Sequence, residues 1–128
     1  MIDHVGFAVS DLERSRAFYL AALAPLGIAL LMEVGPERTQ ASGTALGFGK
    51  DDHPFFWIGD NERVGEGTHI AFTVDDRATV DTFHAAALAA GGTDNGAPGI
   101  RAHYHPNYYA AFVLDPDGIN VEAVCHRD

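Results

Sequence analysis

The sequence is poor in cysteine and in long apolar runs. Cys125 is the only cysteine among the 128 residues, which excludes an internal disulfide framework. No stretch approaches the roughly 20 consecutive apolar residues that a membrane-spanning helix needs. The start of the chain also lacks a basic segment followed by an apolar run, which is the pattern of a secretory signal. These absences predict a cytoplasmic protein.

Basic residues are scarce as well. Eight lysines and arginines stand against 18 aspartates and glutamates, which gives a formal net charge of -10, and Lys50 is the only lysine. An excess of negative charge repels nucleic-acid phosphates and anionic membrane surfaces. Binding to nucleic acid or to a membrane is therefore not expected, and the charge is interpreted as a source of solubility.

The chain contains an internal repeat. The segment DHVGFAVSDLERSRAFYLAALAPLG, from Asp3, aligns without a gap with THIAFTVDDRATVDTFHAAALAAGG, from Thr68, at an offset of 65 residues. In both copies apolar residues first alternate, as in a half-buried strand, and then recur at helical spacing. With 47% hydrophobic residues the chain can build one core. We predict a single domain over residues 1–128, with modules at 1–60 and 66–128.

Strand-like stretches follow the predicted helix in each half. They cover residues 28–34, 44–49, 54–59, 108–114 and 119–125. The turn Asp115-Pro116-Asp117-Gly118 predicts a hairpin, whereas residues 93–100 are rich in Gly, Asn and Pro and are expected to be mostly loop. This order predicts an α+β fold of two tandem βαβββ modules whose curved sheets face each other around a metal-binding cleft. A ferredoxin-like sandwich without a site is the alternative.

Three residues have side chains that can ligate a metal, and two of them occupy equivalent positions of the repeat. His4 and His69 lie in the first predicted strand of each half, on the face opposite to the apolar residues. Glu122 lies in the last strand, among residues suited to burial. Two imidazoles and a carboxylate can hold divalent Fe, Mn, Ni or Zn and leave positions free for a substrate. We predict these three as metal ligands, with Glu122 also catalytic; a buried hydrogen-bonded His–Glu pair is the alternative.

Two further groups are candidates for the walls of the cleft. Phe55 and Trp57 could form an aromatic wall for a planar or apolar substrate, or could be ordinary core residues. The second group surrounds a His-x-His pair and consists of Arg101, His103, His105 and Tyr108. In that group an acid and base role is predicted for the first histidine and the tyrosine, and substrate contact for the other two. An accessory metal site or an exposed loop edge is also compatible with this pattern.

The segments that carry these residues resemble the vicinal oxygen chelate superfamily. IDHVGFAVSDLERSRAFY around His4, GTHIAFTV around His69 and FVLDPDGINVEAV around Glu122 are similar to its ligand-bearing segments. That superfamily includes glyoxalase I, extradiol dioxygenases, methylmalonyl-CoA epimerase, fosfomycin-inactivating thiol transferases and metal-free bleomycin-binding proteins. The resemblance implies the paired-module fold and a homodimer, whereas the reaction depends on the details of the site.

One position departs from the pattern of glyoxalase I. Trp57 lies 65 residues before Glu122, where the resemblance would place a fourth ligand, commonly glutamate. Tryptophan cannot ligate a metal, so the site resembles the three-ligand sets of the dioxygenases and fosfomycin enzymes more closely. Two functions follow as hypotheses. The first is a metal-dependent lyase, isomerase or ring-cleaving dioxygenase that acts on a small substrate with vicinal oxygens; the alternative is a metal-free small-molecule or antibiotic-binding protein.

Overall fold

The computed structural model describes residues 1–39 and 43–128, which form two α+β modules in tandem. The first module consists of β1 (Val5–Ala8), α1 (Leu12–Leu23), a 3₁₀ turn (Ala24–Leu26), β2 (Ala29–Val34), a one-turn helix α2 (Pro36–Thr39), β3 (Ala45–Lys50) and β4 (His53–Gly59). The second module consists of β5 (His69–Thr73), α3 (Arg77–Ala89), β6 (Thr93–Ile100), β7 (Tyr109–Leu114) and β8 (Asn120–Cys125).

Each module contains one four-stranded sheet that is curved but not closed. The strand orders are β1-β4-β3-β2 and β5-β8-β7-β6, and in both sheets the first strand of the module pairs in parallel with the last. The predicted turn with Gly118 joins β7 to β8, and this glycine has a φ of 83°. The predicted α+β fold of two βαβββ modules is confirmed.

Strand β6 corrects the expectation that residues 93–100 are mostly loop. The segment pairs antiparallel with β7, with register shifts on both sides of Gly96. Gly96 has a φ of 152°, a conformation that side chains other than glycine's rarely adopt. An edge strand tolerates such irregularity because only one of its sides is paired in the sheet. Composition alone therefore underestimated the pairing that the neighbouring strand provides.

Both long helices begin at an aspartate, and the repeat places these aspartates at equivalent positions. A side-chain oxygen of Asp11 accepts a hydrogen bond from the backbone N–H of Arg14 at 3.1 Å, and one of Asp76 accepts from Thr79 at 2.7 Å. Such caps satisfy N–H groups that the first helical turn leaves unpaired. Within residues 1–39 and 43–128 the helices are too short or too polar to serve as a membrane span.

One aromatic core joins the two modules. The ring centroid of Phe56 lies 5.1 Å from that of Tyr19, 5.3 Å from that of Phe7 and 5.4 Å from that of Phe72. Phe72 belongs to the second module and the other three rings belong to the first. Helix α1 also contacts α3. The modules of one chain therefore pack through their helices and the core-facing sides of their sheets.

A buried hydrogen bond also links the modules. The Tyr19 hydroxyl, on α1, donates to Oδ2 of Asp115 at 2.7 Å, in the turn between β7 and β8. The other oxygen of Asp115 accepts from the backbone N–H groups of Asp117 and Ile119 at 2.8 and 2.9 Å. Asp115 is only 3% exposed, and this burial raises its pKa above the ordinary value of 3.8. The turn that predicted a hairpin from sequence therefore also docks the second module on α1.

The raised pKa of Asp115 predicts a specific pH dependence of stability. The folded state binds the proton of Asp115 at higher pH than the unfolded state does. The stability that this protonation contributes is therefore complete below about pH 3.8 and is lost as the pH rises through the raised pKa of Asp115. Asp115→Asn is expected to remove this loss, since its amide can accept from the backbone and donate to Tyr19. Tyr19→Phe is expected to lower the free energy of unfolding by about 1–3 kcal/mol, because it removes the hydrogen bond to Asp115. Urea denaturation of both variants from pH 3.5 to 8 measures these effects; parallel pH profiles for wild type and Asp115→Asn would contradict the assignment.

Candidate metal and substrate site

The side chains of the second sheet alternate between the core and the opposite face. Tyr109 points toward α3, since its hydroxyl donates to Asp81 at 2.6 Å and its ring centroid lies 5.1 Å from the Arg77 guanidinium carbon. Phe112, three residues further along β7, pairs in register with Glu122 on β8. Because neighbouring residues of a strand point to opposite faces, Phe112 and Glu122 lie on the face away from α3.

Glu122 is a buried carboxylate with two side-chain partners. It is 2% exposed. Its Oε2 lies 3.1 Å from Nε2 of His69, and its Oε1 accepts a hydrogen bond from the Tyr108 hydroxyl at 2.5 Å. A carboxylate that is buried away from water destabilises the fold unless such partners bind it. The strand register thus places three groups capable of ligation or proton transfer at one point of the sheet.

The orientation of His69 fits a divalent cation beside Glu122. Nδ1 of His69 lies 3.0 Å from the backbone carbonyl oxygen of Asn120, so this nitrogen carries a proton and donates it. The Nε2 lone pair and a carboxylate oxygen then face each other, and two acceptors at this distance need a shared proton or a cation. Two ligand atoms at about 2.1 Å from one ion lie about 3.0–3.4 Å apart. A carbonyl that fixes the far nitrogen is also the usual second contact of a metal-binding histidine.

Tyr108, immediately before β7, completes the cluster. Burial, followed by the hydrogen bond to the Glu122 carboxylate, raises the pKa of Tyr108 to about 12. The hydroxyl therefore stays protonated at neutral pH and acts as a donor. The rings of Tyr104 and His126 pack edge-on against it, with centroids at 5.0 and 5.2 Å. These contacts hold the hydroxyl toward the carboxylate.

His4 lies outside this cluster in the single chain. It precedes β1, its side chain is 61% exposed, and its Nδ1 lies 2.8 Å from an oxygen of Asp3. Within residues 1–39 and 43–128, no three His, Cys, Asp or Glu side chains come together as a group that could hold a metal ion. One chain therefore brings together two of the three predicted ligands, and the three-ligand site stays a prediction.

A cavity of about 580 Å³ lies between the modules. His4, Lys50 and Phe55 line it from the first module, and His69 lines it from the second, together with apolar side chains. Glu122 is not among its lining residues. The volume lies within the range of small-molecule pockets, which are mostly apolar with a few polar groups.

Trp57 lies on the same sheet face as Gly6 and Gly47. A Cβ atom added to Gly47 would lie 2.8 Å from the Trp57 ring, and one added to Gly6 would lie 3.1 Å from the Trp57 Cβ. The glycines therefore leave room for the indole to lie along the sheet. Trp57 lines a separate cavity of about 240 Å³ beside the ends of β1 and β4, and Phe55 is not one of its lining residues.

The predicted group around the His-x-His pair is divided by the structure. Arg101 and His103 line a cavity of about 310 Å³ on the second sheet, together with Tyr104 and Phe112. The His103 ring lies 4.1 Å from that of Tyr104. His105 lies outside this cavity, and its Nδ1 accepts a hydrogen bond from the backbone N–H of Asn107 at 3.1 Å.

The family comparison agrees with this architecture. The model of the Glyoxalase/Bleomycin resistance protein/Dioxygenase superfamily matches residues 1–123. The chain belongs to this superfamily. No curated protein matches the chain.

Solved structures of the superfamily have the same fold. A glyoxalase/bleomycin resistance protein from Albidiferax ferrireducens T118 is 29% identical, with a TM-score of 0.73 and 98% of each chain covered. A glyoxalase I mutant from Zea mays is 27% identical with a TM-score of 0.73; the match covers 96% of this chain and 46% of that one. A family enzyme from Burkholderia phytofirmans PsJN is 24% identical, with a TM-score of 0.68 and 98% of each chain covered. This chain thus spans less than half of the maize protein.

Membership in the superfamily does not identify the site residues of this chain. Sequence reasoning missed Phe112, Asn95 and Asn120 as site residues, although they surround the Glu122 cluster or the neighbouring cavity. Strand alternation contained the signal for two of them. Asn120 and Glu122 are two residues apart on β8, and Phe112 has the same parity as Tyr108.

Proposed function

We propose that this superfamily member is a divalent-metal-dependent enzyme that acts on a small substrate through two neighbouring oxygens. The reaction is a lyase or isomerase reaction, or a ring-cleaving dioxygenation. The observation that carries the proposal is the buried Glu122 carboxylate, which faces Nε2 of His69 at 3.1 Å while Tyr108 donates to its other oxygen.

The proposed ligands are His69 and Glu122 of one chain and His4 of the partner subunit. Two features support a site shared in a homodimer. His4 is exposed, and within residues 1–39 and 43–128 it forms no three-ligand group with His69 and Glu122, although His4 and His69 line the same cavity. The modules pack through their helices, so a second copy can approach the opposite sheet faces. In a two-fold symmetric dimer such an arrangement forms two identical sites.

The chain's own groups have distinct roles in this proposal. A bound divalent ion would supply positive charge that stabilises an anion on the substrate oxygens. Tyr108, whose pKa is raised to about 12, is protonated at neutral pH and donates a hydrogen bond to Glu122. The same hydroxyl can instead donate to a substrate oxygen. His103 borders the adjacent 310 Å³ cavity and serves as an acid or base at its rim. Phe55 provides apolar surface in the larger cavity.

Mixing two inactive variants tests the shared site. His4→Ala and Glu122→Ala are each expected to hold no stoichiometric metal when purified alone. A heterodimer of the two variants would contain one intact site and one doubly altered site, so its metal content is expected to reach about half that of wild type. The heterodimer is isolated with two different tags that contain no histidine, and metals are counted by plasma mass spectrometry.

The outcomes separate the parts of the proposal. A heterodimer without metal, beside a wild type that holds metal, would contradict the shared site. A wild type that takes up no metal on reconstitution would overturn the enzyme itself. The metal then selects the reaction: Fe(II) with oxygen consumption supports a dioxygenase, whereas Ni(II) or Zn(II) supports a lyase or isomerase.

A metal-free small-molecule-binding protein is the second candidate. The 580 Å³ cavity favours it, since Phe55 and other apolar side chains line most of that cavity. Tight binding of an aromatic ligand that chelator leaves unchanged would support this function. Both candidates are proposed to act in the cytoplasm, where the single thiol of Cys125, buried in the core, stays reduced.

A further inference from the structure

Arg101 is held in a fixed position beside the Glu122 cluster. Its guanidinium carbon lies 5.4 Å from the centroid of the Phe112 ring, and its Nη2 donates to the carbonyl oxygen of Ala97 at 2.7 Å. A Cβ atom added to Gly96 or Gly99 would lie 3.0 or 3.2 Å from the guanidinium nitrogens. The two glycines of β6 therefore leave room for the arginine to fold back over the sheet, and stacking on an aromatic ring holds it there.

This guanidinium has no carboxylate partner in the described part of the chain. Within residues 1–39 and 43–128, Arg14, Arg16 and Arg127 each lie within 4 Å of a carboxylate oxygen, whereas Arg101 has no such contact. The sequence contains 18 acidic residues, yet among residues 1–39 and 43–128 none lines the 310 Å³ cavity that Arg101 borders. A guanidinium has five N–H donors, and one hydrogen bond to Ala97 leaves others for a ligand.

The walls of this cavity add neutral polar groups. Asn95 and Asn120 both line it, and the amide of Asn95 lies 3.4 Å from the side-chain oxygen of Asn120. His103 lines the same cavity. Amide and imidazole N–H groups can complete the hydrogen bonds of an anion whose charge the arginine balances. The site thus combines one cation with neutral donors in a strongly acidic protein.

The cavity lies next to the proposed metal ligands. Phe112, under the Arg101 guanidinium, is the register partner of Glu122, and its ring also stacks on His69 with centroids at 6.3 Å. Adjacent strands are about 4.8 Å apart and alternate residues of a strand about 7 Å apart. A group bound at Arg101 therefore lies roughly 5–10 Å from the Glu122 carboxylate.

We propose that the cavity bordered by Arg101, Asn95 and Asn120 is a carboxylate-binding subsite. This inference rests on the proposed function, because it makes the substrate a small acid with its carboxylate at Arg101 and its reacting oxygens at the Glu122 cluster. The planar fork of a guanidinium matches a carboxylate in two-point contact. One arginine balances a single negative charge, which favours a carboxylate over a doubly charged phosphate in a protein of net charge -10.

Direct binding of small anions tests the subsite without any reaction. Acetate and inorganic phosphate are titrated separately into the metal-free protein, and the Arg101 Nε–H and the Asn95 side-chain amide are followed by NMR. Acetate is expected to shift both signals. In Arg101→Gln its affinity is expected to fall at least about 10-fold, since a charge-assisted contact is lost, and Arg101→Lys is expected to keep part of it.

Arg77→Gln is the matched control. Like Arg101, Arg77 lies over an aromatic ring, with its guanidinium carbon 5.1 Å from the centroid of the Tyr109 ring, but on the side of the sheet that faces α3. Acetate binding is expected to be unchanged in this variant. Unchanged acetate affinity in Arg101→Gln, or equal losses in Arg101→Gln and Arg77→Gln, would overturn the subsite. Tighter binding of phosphate than of acetate would overturn the carboxylate assignment.

Glu122→Gln separates this inference from the proposed function. Removal of a negative charge close to the cavity is expected to leave acetate binding intact or to strengthen it up to a few-fold. Metal binding, by contrast, is expected to be lost. A protein that binds acetate at Arg101 but takes up no metal would keep the subsite and overturn the metal-dependent enzyme. A protein that binds metal but shows no acetate shift would overturn the subsite and keep the metal-dependent enzyme.

Discussion

Replacement of Glu122 by glutamine is expected to weaken divalent-metal binding by more than roughly 100-fold, because even the outer partners of metal ligands contribute 10–100-fold. The amide keeps the shape of the side chain and can still accept a hydrogen bond from Tyr108, so the fold is expected to survive. The change removes the negative charge that faces Nε2 of His69 at 3.1 Å. Equilibrium titration of Ni(II) or Zn(II) into protein without a histidine tag, with a competing chelator, measures the effect.

A second His–carboxylate pair in the same module provides the control. Nε2 of His84 lies 3.0 Å from Oδ1 of Asp94, a distance close to that of the His69–Glu122 pair. The Asp94 side chain is 55% exposed, whereas Glu122 is only 2% exposed. Asp94→Asn is therefore expected to leave metal affinity unchanged. Equal metal affinities for Glu122→Gln and wild type would show that the ion binds elsewhere.

Phe56→Ala is expected to lower the free energy of unfolding by about 3–5 kcal/mol, the range for a buried aromatic truncated to alanine. Phe56 is fully buried, and its ring contacts Tyr19 and Phe7 of its own module and Phe72 of the other. The cavity that forms would therefore open where the modules meet. Urea denaturation followed by circular dichroism measures the change.

The neighbouring residue is a control for the size of the stability loss. Phe55 and Phe56 both line the 580 Å³ cavity, but Phe55 points to the other face of β4 and is only partly buried. Phe55→Ala is expected to lower the free energy of unfolding by less than about 2 kcal/mol, because Phe55 buries less apolar surface than Phe56 does. Its effect is expected to appear in substrate or ligand affinity instead. A loss of stability as large for Phe55→Ala as for Phe56→Ala would contradict this division between the two faces.

Much of the fold was predictable because the chain repeats itself. His4 and His69 lie at equivalent positions, and the helix caps Asp11 and Asp76 follow at equal distances. Local patterns of this kind need no knowledge of long-range contacts. The segment 93–100 was harder, since its Gly, Asn and Pro residues form a strand only because β7 provides a partner along its length. Pairing between strands is decided by the neighbour as much as by the segment itself.

The candidate site shows the same division between local and long-range information. The sequence predicted that Glu122 needs a partner, and the register of β8 against β5 brings His69 to it. Tyr108 was predicted as an acid or base from its place in a polar cluster. Its contact with Glu122, at 2.5 Å, depends on the β7–β8 hairpin. The fixed pose of Arg101 on Phe112 could not be anticipated, because it depends on room left by two glycines of an irregular edge strand.

The sequence by itself determined the two-module architecture, the positions of the helices and the residue types available for chemistry. These properties follow from alternation, helical spacing and capping, which act over a few residues. Tertiary structure decided which of those residues meet. It joined His69, Glu122 and Tyr108 through strand register, and it kept His4 out of that cluster within the described residues of the single chain. Contacts between distant segments depend on how whole elements pack, and no local pattern contains that information.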